Sequence, residues 1–113
     1  MIDLKNKKCV PCSGEIPPFT NEQIETHIKL VKDWSVQKNK DGNFYLTKGF
    51  KFENFLSSLN FVNKVSEIAE EENHHPDLKF GWGYAKITIF THAIKGLAES
   101  DFVLAAKIDE ISV

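Results

Sequence analysis

Between Phe52 and Ala69 apolar residues recur at the spacing of one helical face: Phe52, Phe55, Leu56, Leu59, Val62, Val65, Ile68 and Ala69, with Asn60, Asn63, Lys64, Glu67 and Glu71 opposite. This is the longest periodic stretch in the chain, and it predicts the core helix. Burying five or six of those side chains would contribute on the order of 10 kcal/mol, at roughly 1.5 to 3 kcal/mol each, before chain entropy is subtracted. The stripe runs out in Glu70-Glu71-Glu72-Asn73-His74-His75-Pro76. A residue that precedes proline is pushed toward extended geometry. The helix therefore ends here, with two imidazoles at its foot.

The other elements follow from local signals. Thr20 with Gln23 makes a capping box and Phe19 with Ile24 a hydrophobic staple, so a first helix starts after Thr20 and carries Ile24, His27, Ile28 and Val31 on one face. His27 lies within that stripe, with nothing titratable spaced to join it. It reads as a half-buried histidine that packs its ring and finds a hydrogen bond. Trp34 to Lys38 and Phe44 to Lys48 flank an Asp41-Gly42 turn and read as a hairpin. Leu78, Phe80 and Trp82, then Ala85, Ile87 and Ile89, alternate with other residues around Gly83-Tyr84 and read as a second hairpin, which His92 closes. Glycines inside its first strand weaken it unless something approaches closely there. Ser100 is placed to cap a last helix whose stripe is Leu104, Ala105, Ile108 and Ile111. Periodicity leaves open whether that stripe faces the core or a partner subunit.

The order helix, hairpin, helix, hairpin, helix predicts an α+β fold, in which a four-stranded antiparallel sheet carries the helices on one face. The 113 residues fit one domain, residues 1–113, with residues 1–18 as an N-terminal arm that holds three of the four prolines. An apolar fraction of 42% with 27% charged residues describes a soluble globular chain rather than a disordered one. A formal net charge of -2 with scattered lysines argues against direct nucleic-acid binding. No apolar run reaches membrane-spanning length and no secretory signal is visible, so a cytoplasmic protein with no membrane attachment is expected. Cys9 and Cys12 form a lone C-x-x-C. Without a second ligand pair or a βαβ context they read as reduced thiols.

Three of the four histidines, His74, His75 and His92, fall at the foot of the core helix or one strand pair later. Adjacent histidines in an extended segment point to opposite sides of the chain, which disfavours a shared metal ion. No serine or cysteine sits in a recognisable nucleophile turn. Two readings remain level on the residues alone. Imidazoles that titrate near neutrality suit acid/base chemistry, and His74 and His75 could equally just end a helix and face its negative pole.

The spacing tips that balance. An acidic residue, three positions, His-His-Pro, five positions, an aromatic, nine positions, His, eight positions and Asp are filled by Glu70, His74-His75-Pro76, Trp82, His92 and Asp101. This pattern resembles the pterin-4a-carbinolamine dehydratase family, some of whose members also serve as dimerisation cofactors of a homeodomain transcription factor. Pro17-Pro18, Thr91-His92, Gly96-Leu97 and the closing Asp101-Phe102-x-Leu104-Ala105-x-x-Ile108 are similar to the family too, so the likeness covers nearly all the chain. Gly83-Tyr84 and Ala93-Ile94-Lys95 depart from its usual residues without touching the motif.

The resemblance implies dehydration of a 4a-hydroxytetrahydropterin, such as 4a-hydroxytetrahydrobiopterin, to the quinonoid dihydropterin, with no cofactor and no metal, in tetrahydrobiopterin recycling. It implies His74 as general acid on the departing hydroxyl, with His75 and His92 flanking the ring as catalytic or positioning groups. Glu70 would hold an imidazole from one turn earlier on the same helix face, and Pro76 and Trp82 would shape the pocket wall. Asp101 completes the substrate-binding set, with a structural role at the last helix as its simpler reading. The family's members form homodimers or homotetramers, and the alternative implied is a partner-binding coactivator without significant turnover.

Overall fold

The computed structural model describes Leu4 and residues 17–111, so Cys9, Cys12 and most of the expected arm lie outside the described residues. Thr20 caps the first helix, α1 (Asn21–Ile28), reciprocally: its hydroxyl accepts from the Gln23 amide, and Oε1 of Gln23 accepts from the Thr20 amide at 2.8 Å. The helix ends before Val31, where the amide of Leu30 turns back to the carbonyl of His27 at 2.9 Å, yet Val31 still enters the core. His27 is half-buried. Its Nδ1 lies 2.9 Å from the Gln23 carbonyl and its ring packs against Phe19 and Phe102.

Strands β1 (Ser35–Lys38) and β2 (Phe44–Lys51) make the first hairpin. Gly42 adopts φ +80°, which costs glycine no Cβ clash, and Oδ1 of Asn39 accepts from the amides of Asp41 and Asn43 at 2.9 and 3.0 Å. Strands β3 (Asp77–Gly81) and β4 (Tyr84–Ile89) make the second. Its turn is Trp82-Gly83, one position earlier than Gly83-Tyr84, because Gly81 pairs with Tyr84 and leaves Gly83, at φ +79°, as the second turn residue. The weak strand position at Gly81 is filled by close approach: a Cβ there would stand 2.8 Å from the Tyr84 ring.

The hairpins join through β2 and β4, with Leu46 opposite Ile89, into an antiparallel sheet of order β1-β2-β4-β3. Alternation then divides the two faces. Leu46, Ala85, Ile87 and Ile89 are buried in the hydrophobic core, while Tyr45, Thr47, Lys86 and Thr88 take the opposite face. The fold is α+β, as expected.

Helix α2 (Phe55–Glu72) follows Asn54, whose Oδ1 accepts from the Ser57 amide at 2.8 Å. Its buried line is Ser58, Phe61, Val62, Val65, Ala69 and Glu72, which corrects the expected stripe. Of the eight residues in that stripe only Val62, Val65 and Ala69 are buried; Phe52, Leu59 and Ile68 are half-buried, and Phe55 and Leu56 are exposed. At about 100° per residue, Leu56 falls on the side opposite Val65 and Ala69. The stripe was wide enough to hold two faces, and the sheet covers one of them.

Helix α3 (Glu99–Asp109) begins one residue before the expected cap, so Ser100 lies inside its first turn, buried, and Ala98 takes the cap position. The cap comes from Asp101, whose Oδ2 accepts from the Ala98 amide at 2.8 Å. Phe102, Val103, Leu104, Ala105 and Ile108 are all fully buried within the one chain. The apolar face of this helix therefore belongs to the core. At its far end Asp109 accepts from the Trp34 indole (3.0 and 3.1 Å) and pairs with the Lys48 ammonium at 2.8 Å, which ties the helix to the sheet. No helix among the described residues is long and apolar enough to cross a membrane.

Candidate active site at one end of the sheet

Sheet register brings the segments that carry the histidines to one end of the sheet. Asp77 pairs with Thr88, so the residues just before β3 run beside those just after β4, and the pairing of Leu46 with Ile89 sets the β1–β2 turn at the same end of the sheet. His74 and His75 arrive from the foot of α2. His92 arrives from the loop after β4.

The foot of α2 is built by Asn73, which adopts the left-handed conformation (φ 52°, ψ 42°). Asparagine tolerates this region better than most side chains. The amide of His74 then bonds back to the carbonyl of Ala69 at 3.1 Å, a closing pattern of helix ends. This turn decides which carboxylate meets which imidazole. Glu70 would face a residue four further on only if the helix continued, and with the chain reversed at Asn73 it pairs with Nε2 of His75 instead. Both partners of that pair are exposed.

His74 is turned inward. Its Nε2 lies 2.8 Å from Oδ1 of Asp101, and its side chain is 15% exposed while that of Asp101 has no exposed surface. The other oxygen of Asp101 accepts from the Thr91 hydroxyl at 2.7 Å and from the Ala98 amide. One carboxylate thereby fastens three segments: the foot of α2, the loop after β4 and the start of α3. Thr91 and Ala98 both donate to Oδ2, and Oδ1 is placed to accept from Nε2 of His74 in the tautomer that carries its proton there, in which case Nδ1 is the ring nitrogen that Asp101 does not engage. The α3 N-terminus favours the buried negative charge.

His92 sits on a short loop. Thr91 and Gly96 exchange both backbone hydrogen bonds (3.0 and 3.4 Å), His92–Ile94 forms a single 3₁₀ turn, and Lys95 closes it at φ 52°. The His92 ring stands edge-on to Phe90 with centroids 4.9 Å apart, and the residue is exposed. Beside it opens a cleft of about 520 Å³ that runs past Asp77 and Phe90 to Asn39, Asp41 and Asn43 of the first hairpin turn.

The remaining expected residues divide. Pro76 is half-buried between His75 and β3, where the chain turns into the sheet. Trp82, expected at the pocket wall, is 71% exposed in the β3–β4 turn, at the opposite end of that hairpin from His75 and His92. Asp101, expected to bind substrate, is sealed inside and reaches the site through His74. Thr91 and the Asn39–Asn43 turn carried no site signal in the sequence, since one acts through a buried carboxylate and the other arrives by pairing of strands from different hairpins. Among the described residues no three His, Cys, Asp or Glu side chains are grouped to hold a metal ion.

The family model for pterin 4 alpha carbinolamine dehydratase matches residues 17–111. A protein of Rubrobacter xylanophilus, provisionally named pterin-4-alpha-carbinolamine dehydratase, is 50% identical over 111 residues, which cover 98% of this chain and 100% of that one. A protein of Methylococcus capsulatus with the same provisional name is 46% identical over 96% of this chain and 93% of its own. Among solved structures, a transcriptional coactivator/pterin dehydratase from Brucella melitensis superposes with a TM-score of 0.72 at 27% identity, covering 81% of this chain and 95% of that one. A pterin dehydratase-like protein described as a RuBisCO assembly factor of the alpha-carboxysome gives 0.58 at 26% identity, over 68% of this chain and 86% of its own. The chain belongs to the pterin-4-alpha-carbinolamine dehydratase family.

Proposed function

We propose that the protein dehydrates a 4a-hydroxytetrahydropterin to the quinonoid dihydropterin, in recycling of a tetrahydropterin such as tetrahydrobiopterin. The observation that carries this reading is the orientation of His74 by a buried carboxylate, at the sheet end that also receives His75 and His92. The reaction needs a proton on the departing 4a-hydroxyl and the loss of one from a ring nitrogen, and imidazoles serve both needs near neutral pH. His74, with Nε2 held by Asp101, delivers the first proton from Nδ1. His75, steadied by Glu70, and His92 flank the ring, take the second proton or fix the ring by hydrogen bonds, and Pro76 shapes the wall next to them. A homodimer or homotetramer in the cytoplasm fits the reading, since Phe55 and Leu56 give α2 an exposed apolar surface that a second copy would cover.

The description of a similar structure as a coactivator favours a second reading, a partner-binding module without significant turnover. One measurement separates them: the absorbance-followed dehydration of chemically generated 4a-hydroxytetrahydropterin by the wild type and by the His74→Ala, His75→Ala double variant. Acceleration that collapses in the double variant supports the enzyme. A wild type no faster than buffer rejects it in favour of the partner-binding module.

A further inference from the structure

Strand β2 is longer than the strand that covers its outer edge. β1 pairs with β2 from Phe44 to Thr47 and begins at Ser35, whereas β4 follows β2 through to Lys51. The phase of the ladder tells where the uncovered groups point. Phe52, one step beyond Lys51, donates to the Gly83 carbonyl at 2.9 Å, so the even-numbered residues of β2 turn N–H and C=O toward β4 and the odd-numbered ones turn theirs toward β1. The bond from the Asn39 amide to the Asn43 carbonyl, also 2.9 Å, fixes the same phase on the β1 side. Thr47 has Ser35 to face. Gly49 and Lys51 have no strand: Asp33, which the register would set opposite Gly49, adopts φ 62° and makes no backbone hydrogen bond to it.

A cleft of about 410 Å³ opens along this edge, with Asp33, Ser35, Gly49, Phe50, Lys51 and Lys86 in its lining. A Cβ on Gly49 would meet nothing within 4 Å, so a neighbouring side chain has room above it. The charge around it is positive. Gly49, Lys86 and Lys79 form one row on the open sheet face, and Lys51 stands one row further on the same face. Lys79 and Lys86 are directly opposite each other, where like charges are unfavourable. All three lysines are exposed, and none has an ion-pair partner among the described residues. Asp33 is the one carboxylate among the described residues that line the cleft.

A residue added opposite Gly49 would join that row with no side chain between it and Lys86, so a carboxylate there is drawn to Lys86 and Lys51. Its neighbours along the added strand would turn to the core face beside the half-buried Phe50 and are best apolar. A second copy paired through the same edge would bring two Lys51 side chains onto one short ladder. Residues 5–16 carry Lys5, Lys7 and Lys8 against Glu15 alone, the wrong sign for this edge.

We propose that the open edge at Gly49 and Lys51 is a strand-addition site for an extended acidic segment of another protein, in which carboxylate and apolar side chains alternate. It lies at the end of the sheet away from His75 and His92 and does not rest on the dehydratase reading.

The probe is a fluorescein-labelled, end-blocked peptide of alternating valine and glutamate, compared by fluorescence anisotropy with its valine–lysine counterpart on the full chain. The glutamate peptide is expected to bind about tenfold more tightly or better, and the preference to invert in Lys51→Glu, Lys86→Glu. Gly49→Pro removes an N–H that β4 does not use, a change that strand edges tolerate, and should weaken binding about tenfold. In the wild type, hydrogen exchange at the Gly49 and Lys51 amides should slow about tenfold when the glutamate peptide is present. Absence of saturation, equal binding of the two peptides, or unchanged exchange at both amides would overturn the site. Self-association of the wild type that Gly49→Pro abolishes would give the edge to a second copy and overturn it too. Dehydratase activity, present or absent, does not enter any of these readouts.

Discussion

Oδ1 of Asp101 and Nε2 of His74 lie 2.8 Å apart across 27 positions of sequence, the aspartate side chain fully buried and the imidazole 15% exposed. The same carboxylate holds Thr91, the neighbour of His92, by a 2.7 Å bond from its hydroxyl. A single buried group thus sets the orientation of one imidazole and the anchorage of the loop that carries another.

Asp101→Asn keeps the volume and still accepts from Thr91 and Ala98, but presents an NH₂ group to Nε2 of His74, which must then give up its proton and become an acceptor. The other tautomer follows. Dehydration is expected to fall about 100-fold, within the range of general acid–base contributions, while circular dichroism stays that of the wild type. A kcat within twofold of wild type would show that the orientation of His74 does not matter to the reaction. Asp101→Ala, by contrast, strands the Thr91 hydroxyl and the Ala98 amide away from water, and urea unfolding should show a loss of about 2 to 5 kcal/mol.

At the other end of α3, Asp109 satisfies the Trp34 indole and the Lys48 ammonium, whose Nζ also reaches the Lys32 carbonyl at 2.9 Å. The Lys48 and Asp109 side chains are only 14% and 17% exposed, so solvent screens the pair weakly. Asp109→Ala leaves a partly buried ammonium and an indole N–H short of an acceptor. A loss of about 2 to 3 kcal/mol in urea unfolding is expected, with the dehydration rate of the folded protein retained. A stability equal to wild type would mean that the surroundings relax to rehydrate both donors.

Gly96 is buried under the N-terminal entry of the domain: a Cβ at this position would stand 2.7 Å from Cβ of Pro18, next to Phe19, whose amide donates to the Leu97 carbonyl at 2.7 Å. Gly96→Ala must displace that entry or the Thr91–Gly96 loop. A cost of about 1 to 3 kcal/mol is expected from overpacking, read as a lowered thermal midpoint. Because the loop carries His92, KM for the pterin should rise in the same variant. An unchanged midpoint and KM would place the slack in the Pro18 segment.

Local chemistry was legible from the residues. Thr20 with Gln23, Asp41-Gly42 and the alternation along both hairpins each act within a few positions, so helix start, turn and strand could be read one after another, and the spacing Glu70 to Asp101 carried the family. What lay beyond reach were choices between surfaces of similar composition. The apolar residues of α2 span more than one face, and only the position of the sheet determines that Phe61 is covered and Leu56 left out. The cap of α3 passed from Ser100 to Asp101 because a buried carboxylate had three donors to satisfy at once.

The site shows the same division. Sequence by itself determined which groups are present: three imidazoles, an acidic residue ahead of them and an aspartate behind. Tertiary structure alone decided their pairing, since the left-handed turn at Asn73 precedes a His74 that pairs with Asp101 and a His75 that pairs with Glu70, and the register of Asp77 with Thr88 sets the segment of His75 and the loop of His92 at the same end of the sheet. The reason is physical. Periodicity and capping are properties of neighbours along the chain, whereas the partner of a buried polar group is chosen by whichever segments the core packs around it.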